Sequence, residues 1–298
     1  MLIARLIADP AKLQTGLDAA IADLTAKGLP VASAVLLDAN SRVLQIDCPD
    51  SDLADDMAVL RAAIDTWFGP SDGLIARDEI AVPHLFVSDM DSTMIGQECI
   101  DELADFAGLK EKIAAITERA MQGELDFESA LRERVGLLAG LDEGAIQQCL
   151  DERIRMNDGA RVLVETLKSK GCRTALVTGG FHHFADVVAD QIGFERVVGN
   201  RLEVAGGKLT GGLVGAICDS STKQAVLEEE LGKLGEGAVS MAAGDGANDI
   251  PMIEASTYGI AYRAKPKARL AANGWVEQGD LTSLLELFEI PRSEWVAR

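Results

Sequence analysis

Four carboxylates in this chain stand out by position: Asp89 and Asp91 in the run Asp-Met-Asp-Ser-Thr (89–93), and Asp245 and Asp249 in Gly-Asp-Gly-Ala-Asn-Asp (244–249). Each run follows a short apolar stretch, 84–88 and 238–243, that reads as a buried strand. As strands of one parallel sheet they would bring all four acids beyond the same edge, where open α/β sheets bind ligands. Carboxylates that close repel one another and take protons back. A hard dication relieves the repulsion, and Mg²⁺ does so with one or two carboxylates plus substrate phosphate and water. A third strand, 173–177, ends in Thr178-Gly179-Gly180, whose hydroxyl and backbone N–H groups can grip phosphate oxygens. Lys223, at the start of a helix, adds a fixed positive charge for a transferring phosphoryl group. The inventory predicts phosphoryl transfer to a carboxylate, with Mg²⁺ as cofactor.

Other chemistries fit less well. The 244–249 run has Asp249 where a dinucleotide fingerprint needs its third glycine, no phosphate-binding GxxxxGK[ST] loop occurs, and the spacing is not that of a calcium loop. His84, His182 and His183 have no zinc-ligand spacing and read as structural. The glycines at 206–215 read as hairpin turns, and the acidic clusters at 49–56 and 228–230 as solvated faces.

The elements that must position these residues fall into two patterns. Residues 1–78 read as a small α+β unit: a strand at 2–7, a helix at 10–27, strands at 31–37 and 42–46 across an Asp-Ala-Asn-Ser turn, a helix at 53–67 and a strand near Leu74. This βαββαβ order suits a ferredoxin-like sheet with helices on one face and resembles the ACT type of amino-acid-sensing module. Two roles stay open for it: a structural or dimerising unit, or a serine-binding one. Residues 79–298 read as a doubly wound parallel sheet, Rossmann-like in its alternation of strands and helices, with a Gly-rich hairpin at 197–217 and a helix from Thr222. The amphipathic stretch 98–155 is too long for one crossover helix and is expected to form an inserted helical cap.

Hydrophobic residues make up 48% of the 298, enough for a large core. The net charge of -20 disfavours nucleic acid and anionic lipid as partners. No apolar run is long enough to span a bilayer, and the N-terminal stretch lacks a signal-peptide cleavage site. Cys48, Cys99, Cys149, Cys172 and Cys218 are scattered without a CxxC pair, as in reduced thiols of a cytoplasmic protein.

Taken in order, DMDST, TGGF, Lys223 and GDGANDIPM resemble the four motifs of the haloacid dehalogenase (HAD) superfamily of phosphatases, over about residues 85–290. Within that superfamily the chain is similar to the branch that acts on phosphoserine, through Glu98, the stretch AMQGELDFESALRERV (120–135) and GGFHHFA. Many relatives have Ser where this chain has Thr178; the hydroxyl is kept. The resemblance implies a HAD-like fold and a two-step reaction in which Asp89 attacks phosphorus and forms an aspartyl-phosphate. Asp91 then serves as acid for the leaving oxygen and as base for water, which calls for a raised pKa. Mg²⁺ is expected on Asp89, Asp245 and the Asp91 backbone carbonyl, with Asp249 orienting the ion's water ligands and Asn248 contacting phosphate or holding the loop. Glu98 would face the substrate ammonium and Arg134 its carboxylate, a bidentate task suited to Arg. Met121 and Phe127 are either pocket walls or ordinary cap core. The implied activity is hydrolysis of O-phospho-L-serine. The alternatives are another small phosphorylated amino acid or alcohol, and a non-catalytic serine sensor, which would need neither Asp89 nor Asp91.

Overall fold

The computed structural model describes residues 1–37, 43–121 and 124–296, apart from the side chains of 118, 120 and 121. The expected turn at 38–41, and Arg42 at the head of the strand after it, lie outside the described residues.

The chain opens with β1 (Leu2–Ile7), α1 (Pro10–Ala26), β2 (Ser33–Leu36), β3 (Val43–Cys48), α2 (Asp56–Trp67) and β4 (Asp72–Ala76). Helix α1 starts where the Asp9 carboxylate accepts the N–H of Ala11 and Pro10 occupies a position whose N–H would have no partner. Asp55 caps α2 in the same way. The four strands are antiparallel, in the order β2-β3-β1-β4. Even-numbered β1 residues (Leu2, Ala4, Leu6) pack with Leu13, Leu24, Leu60 and Ile64 of the two helices.

The second half begins with β5 (Leu85–Ser88), and then four helices stand where the cap was expected: α3 (Cys99–Phe106), α4 (Lys110–Met121), α5 (Phe127–Leu137) and α6 (Gly144–Arg153). There follow α7 (Ala160–Ser169), β6 (Arg173–Phe181), α8 (His182–Ile192), β7 (Arg196–Asn200), a hairpin of β8 (Leu202–Ala205) and β9 (Lys208–Leu213), and α9 (Ser220–Leu234). The chain ends through β10 (Ser240–Gly244), α10 (Ile250–Ala255), β11 (Tyr258–Tyr262), α11 (Pro266–Ala271), β12 (Gly274–Val276) and α12 (Ser283–Leu287). Strands β7-β6-β5-β10-β11-β12 lie side by side and parallel. Numbered along the chain, that order is the doubly wound 3-2-1-4-5-6, so the direction of winding reverses between β5 and β10.

The boundary near residue 78 falls between β4 and β5, and the sheet crosses it. Strand β4 pairs antiparallel with β12, Gly274 opposite Leu74 and Trp275 opposite Gly73, giving one ten-stranded sheet. A Cβ on Gly73 would lie 2.5 Å from the Trp275 ring, so only glycine lets the buried indole lie across the join. The far face of the N-terminal strands (Ile3, Ile7, Leu74) is covered by Leu284, Leu285 and Leu287 of α12. Both faces of these strands therefore share apolar cores with the C-terminal half.

Two readings of the sequence need correction. Val197 belongs to β7 of the main sheet, and the hairpin begins only at Leu202; its turn at Gly206 and Gly207 has φ of 60° and 76°, values that favour glycine. Neither Glu230 nor Asp56 sits on a solvated face: Glu230 is 2% exposed and paired with Arg173, Arg196 and Lys233, and Asp56 is 5% exposed and paired with Arg77. Apolar periodicity does not distinguish an exposed acid from one covered by arginines of neighbouring strands. Among the described residues no helix is long and apolar enough to cross a membrane.

Candidate active site

The site lies at the carboxyl ends of β5, β6 and β10, where the winding reverses. The ladder between β5 and β10 continues one residue past the strand, with Asp89 donating its N–H to the Ala243 carbonyl at 2.9 Å. Asp89 and Asp245 thus leave the sheet side by side. Asp89 Oδ1 accepts the N–H of Met90 (2.7 Å) and faces Lys223 Nζ (2.7 Å), whereas among the described residues Oδ2 has only a 3.5 Å contact with Asn248. One carboxylate oxygen is anchored and the other is turned toward the cleft.

Lys223 is held in place by the start of α9. Asp219 caps the helix by accepting the Thr222 N–H, and the Thr222 hydroxyl accepts the Asp219 N–H in return. The next residue, Lys223, is 1% exposed and bridges Asp89 and Asp249, at 2.7 and 2.6 Å. Burial alone would lower its pKa, but the Asp89 and Asp249 charges outweigh burial and hold the ammonium protonated. Burial and the Asp249 charge push the Asp89 carboxyl upward, and Lys223 opposes them.

Asp249 folds back under its own loop. Its Oδ2 accepts the N–H groups of Asp245 (3.1 Å) and Gly246 (3.0 Å), while Oδ1 holds Lys223. A Cβ on Gly244 would lie 2.3 Å from the Asp249 carboxyl carbon, which is why a glycine ends β10. Asp89, Asp245 and Asp249 each present an oxygen within 4.8 Å of the others, as an oxygen-seeking dication requires. Since both Asp249 oxygens are already engaged, Asp89 and Asp245 are the pair left to hold an ion. Among the described residues the Asp245 carboxylate has one ion-pair partner, Lys265, with Nζ 3.4 Å from Oδ2.

Opposite lies the Thr178-Gly179-Gly180 segment. It belongs to β6, which runs on to Phe181 with a register shift after Val177, a bulge at the edge of the site. The Thr178 hydroxyl accepts the Gly180 N–H at 2.9 Å, so its own proton is free to point elsewhere. A Cβ on Gly180 would lie 3.1 Å from Asp91 Oδ2, and one on Gly179 would lie 3.3 Å from the Phe127 ring. Asp91 is pushed up to about 7, by burial first and then by the Glu98 charge. Glu98 is held at its Oε1 by the Ser92 hydroxyl, 2.7 Å away.

The cap closes the cleft. Asp126 caps α5 through the Ser129 N–H, which places Phe127 at the first helical position, over Gly179 and 41% exposed. Two turns on, Arg134 reaches the same cavity, its Nε bonded only to the Ala130 carbonyl and, among the described residues, with no ion-pair partner. The cleft, roughly 150 Å³, is lined by ten of the residues predicted from sequence: Asp89, Asp91, Glu98, Phe127, Arg134, Thr178, Gly179, Gly180, Asp245 and Asn248. Lys223 and Asp249 lie directly beneath it, and the Met121 side chain lies outside the described residues.

Four lining residues went unpredicted as such: Lys265, Ile100, Leu131 and Phe181, the last read only as part of the TGGF motif. Lys265 follows β11 by three residues, and reading 258–262 as a fifth buried strand would have drawn attention to it. Ile100 and Leu131 carry no such signal, since apolar cap residues facing substrate and facing core look alike in sequence.

Residues 86–254 match the family model described as haloacid dehalogenase-like hydrolase. A curated relative from Albidiferax ferrireducens, a phosphoserine phosphatase, is 44% identical over 211 residues, covering 69% of this chain and 89% of the relative. The crystal structure of a HAD family hydrolase from Salmonella enterica serovar Typhi superposes with a TM-score of 0.83 at 28% identity, covering 97% of this chain and 99% of that one. A phospho-aspartyl intermediate analogue of phosphoserine phosphatase superposes at 0.62 with 36% identity, covering 68% of this chain and 98% of that one. With the motifs, the winding order and the site in agreement with these matches, the chain belongs to the haloacid dehalogenase-like hydrolase family.

Proposed function

We propose that this protein is a phosphoserine phosphatase: O-phospho-L-serine and water give L-serine and phosphate, with Asp89 as nucleophile. The observation that carries the reading is the asymmetry of the Asp89 carboxylate, one oxygen pinned by Lys223 and Met90 and the other open to a cleft that also holds Asp91 and Arg134. Its curated relative and the intermediate analogue, both phosphoserine phosphatases, support the substrate and the covalent step.

The substrate phosphate would sit between Asp89 and the Thr178–Gly180 segment, whose hydroxyl and backbone N–H groups face its oxygens. Attack by Asp89 forms an aspartyl-phosphate as the P–O(serine) bond breaks, and Asp91 gives its proton to the departing serine oxygen. Water then attacks phosphorus, Asp91 takes its proton, and Asp89 is released with phosphate. Lys223 supplies positive charge against the anchored oxygen throughout. Asp89 and Asp245 suit Mg²⁺, with the Asp91 carbonyl as a third ligand; the ion would neutralise the phosphate charge that four acids otherwise oppose. Asp249 keeps Lys223 and the 245–246 backbone in place, and Asn248 steadies Asp89. Arg134 is the carboxylate partner and Glu98 the ammonium partner of the serine moiety, and Phe127 shields the phosphate from water.

We place the protein in the cytoplasm, where its five buried, unpaired cysteines would stay reduced. We assign the N-terminal unit no catalytic part. For pairing of two copies we point to edge strand β2, whose Val35 and Leu36 are 49% and 54% exposed. Serine binding by this unit stays an alternative role.

The test is phosphate release from a panel of phosphorylated amino acids and simple esters, with and without Mg²⁺. Preference for phosphoserine with strict metal dependence is expected. Equal rates on esters lacking the amine and carboxylate would move the reading to a broad small-ester phosphatase.

A further inference from the structure

The phosphoserine phosphatase analogue structure is matched almost whole by 68% of this chain, so about a third of the chain has no counterpart there. The N-terminal unit nonetheless reaches the site through one short helix. Helix α11 spans six residues, about 9 Å. Its near end is Lys265, which donates its N–H to the Asp245 carbonyl at 2.8 Å and holds Nζ 3.4 Å from Asp245 Oδ2. Its far end is held by α2 of the N-terminal unit. There Arg61 donates to the carbonyls of Arg269 (3.3 Å), Leu270 (2.9 Å) and Ala272. Asp65 pairs with Arg269 at 2.9 Å, and both guanidinium groups lie over the Trp275 ring, at 5.9 and 4.2 Å.

Arg61 makes this clasp at a cost, since its Nε is buried without a hydrogen-bond partner among the described residues. The hydrogen bonds it does make all go to the end of α11 and the residue after it. Lys265 is itself poorly buried, its side chain 70% exposed, so α11 and its own backbone bond are what keep it beside Asp245. An ammonium there shares the oxygen that a dication would use, and the two cations repel.

We propose that the N-terminal unit tunes the affinity of the active site for its divalent cation through α11, with Arg61 and Asp65 fixing the helix and Lys265 acting at Asp245 as a competing positive charge. Lys265 is a positioning residue in this scheme. The inference rests on the Mg²⁺ reading given above.

Titration calorimetry of Mg²⁺ into the full-length protein without substrate tests it, using K265M, R61M, D65N and the double variants R61M/K265M and D65N/K265M. D65N removes a half-exposed carboxylate and stays informative if R61M fails to fold. K265M is expected to tighten Mg²⁺ binding about threefold, the scale of an exposed ion pair. R61M and D65N should shift it in the same direction by less, and shift nothing further once Lys265 is gone. Shifts that persist equally in the K265M background, no shift from either clasp variant, or weaker binding by K265M would each overturn the coupling. A wild type that takes up no Mg²⁺ would instead overturn the metal reading, and the coupling with it.

Discussion

Two sets of buried carboxylates in this molecule are handled in opposite ways. At the join between the N-terminal strands and the parallel sheet, Asp72 is 1% exposed. It accepts the N–H groups of Glu277 (2.8 Å), Gln278 (2.8 Å) and Gly279 (3.0 Å) and the Ser283 hydroxyl (2.7 Å). Every lone pair there has work within the chain. Farther along the same carboxyl edge of the parallel strands, four acids crowd together, yet among the described residues Asp89 Oδ2 and the Asp245 carboxylate have only side-chain contacts of 3.4 to 3.5 Å, to Asn248 and Lys265. Burial by itself therefore says little about function. A buried acid satisfied by backbone is a clamp, whereas one left with an open oxygen beside others is prepared for an ion and a phosphate.

The contrast is sharpest at Asp89. Asp89→Asn should lower turnover by at least about 10³-fold, as removal of covalent nucleophiles does, with little loss of melting temperature. Steady-state phosphate release and calorimetry would show both, and retained turnover would break the distinction. Arg134→Ala should cost about 10²-fold on phosphoserine, the scale of a charge-assisted pair, and far less on an aryl phosphate without a carboxylate. An equal loss on both would remove Arg134 from substrate recognition.

The pH dependence follows from Asp91, pushed up to about 7. In the proposed mechanism its acid form protonates the serine oxygen, and that form is present below this value and lost above it. The rate of the phosphorylation step on phosphoserine should fall about tenfold per pH unit above roughly 7, while a substrate with a good leaving group stays flat. Rapid-quench rates across the range would reveal a parallel fall for both, against the prediction. At the clamp, Asp72→Asn should leave kcat/KM unchanged and cost about 2 kcal/mol of stability, a drop of roughly 3 °C in Tm. Lost activity in a fully folded Asp72 variant would blur the line between the two regions.

Much of the site was legible from sequence because its residues follow directly on apolar strands, where the sheet must place them. Asp89, Thr178 and Asp245 needed no tertiary information beyond the parallel order. The clamp was not legible. Asp72 reads as a loop acid before a short strand, and its partners lie more than 200 residues away. The pairing of β4 with β12 likewise depends on Gly73 and Trp275, neither of which marks an edge by itself. Lys265 was missed for a narrower reason: Tyr258–Tyr262 was not read as a strand, so its carboxyl end was not searched. At Phe127 the sequence left pocket wall and cap core equally open, because only the tertiary fold places Gly179 beneath its ring.

The most direct trial is to mix the enzyme with phosphoserine and Mg²⁺, quench in acid within one turnover, and map the modified peptide by mass spectrometry. One phosphoryl group on the Asp89 side chain, absent without Mg²⁺ and absent from the Asp89→Asn variant, is the result predicted. Full turnover with no phosphorylated peptide, or with the phosphoryl group on any other residue, would contradict the account.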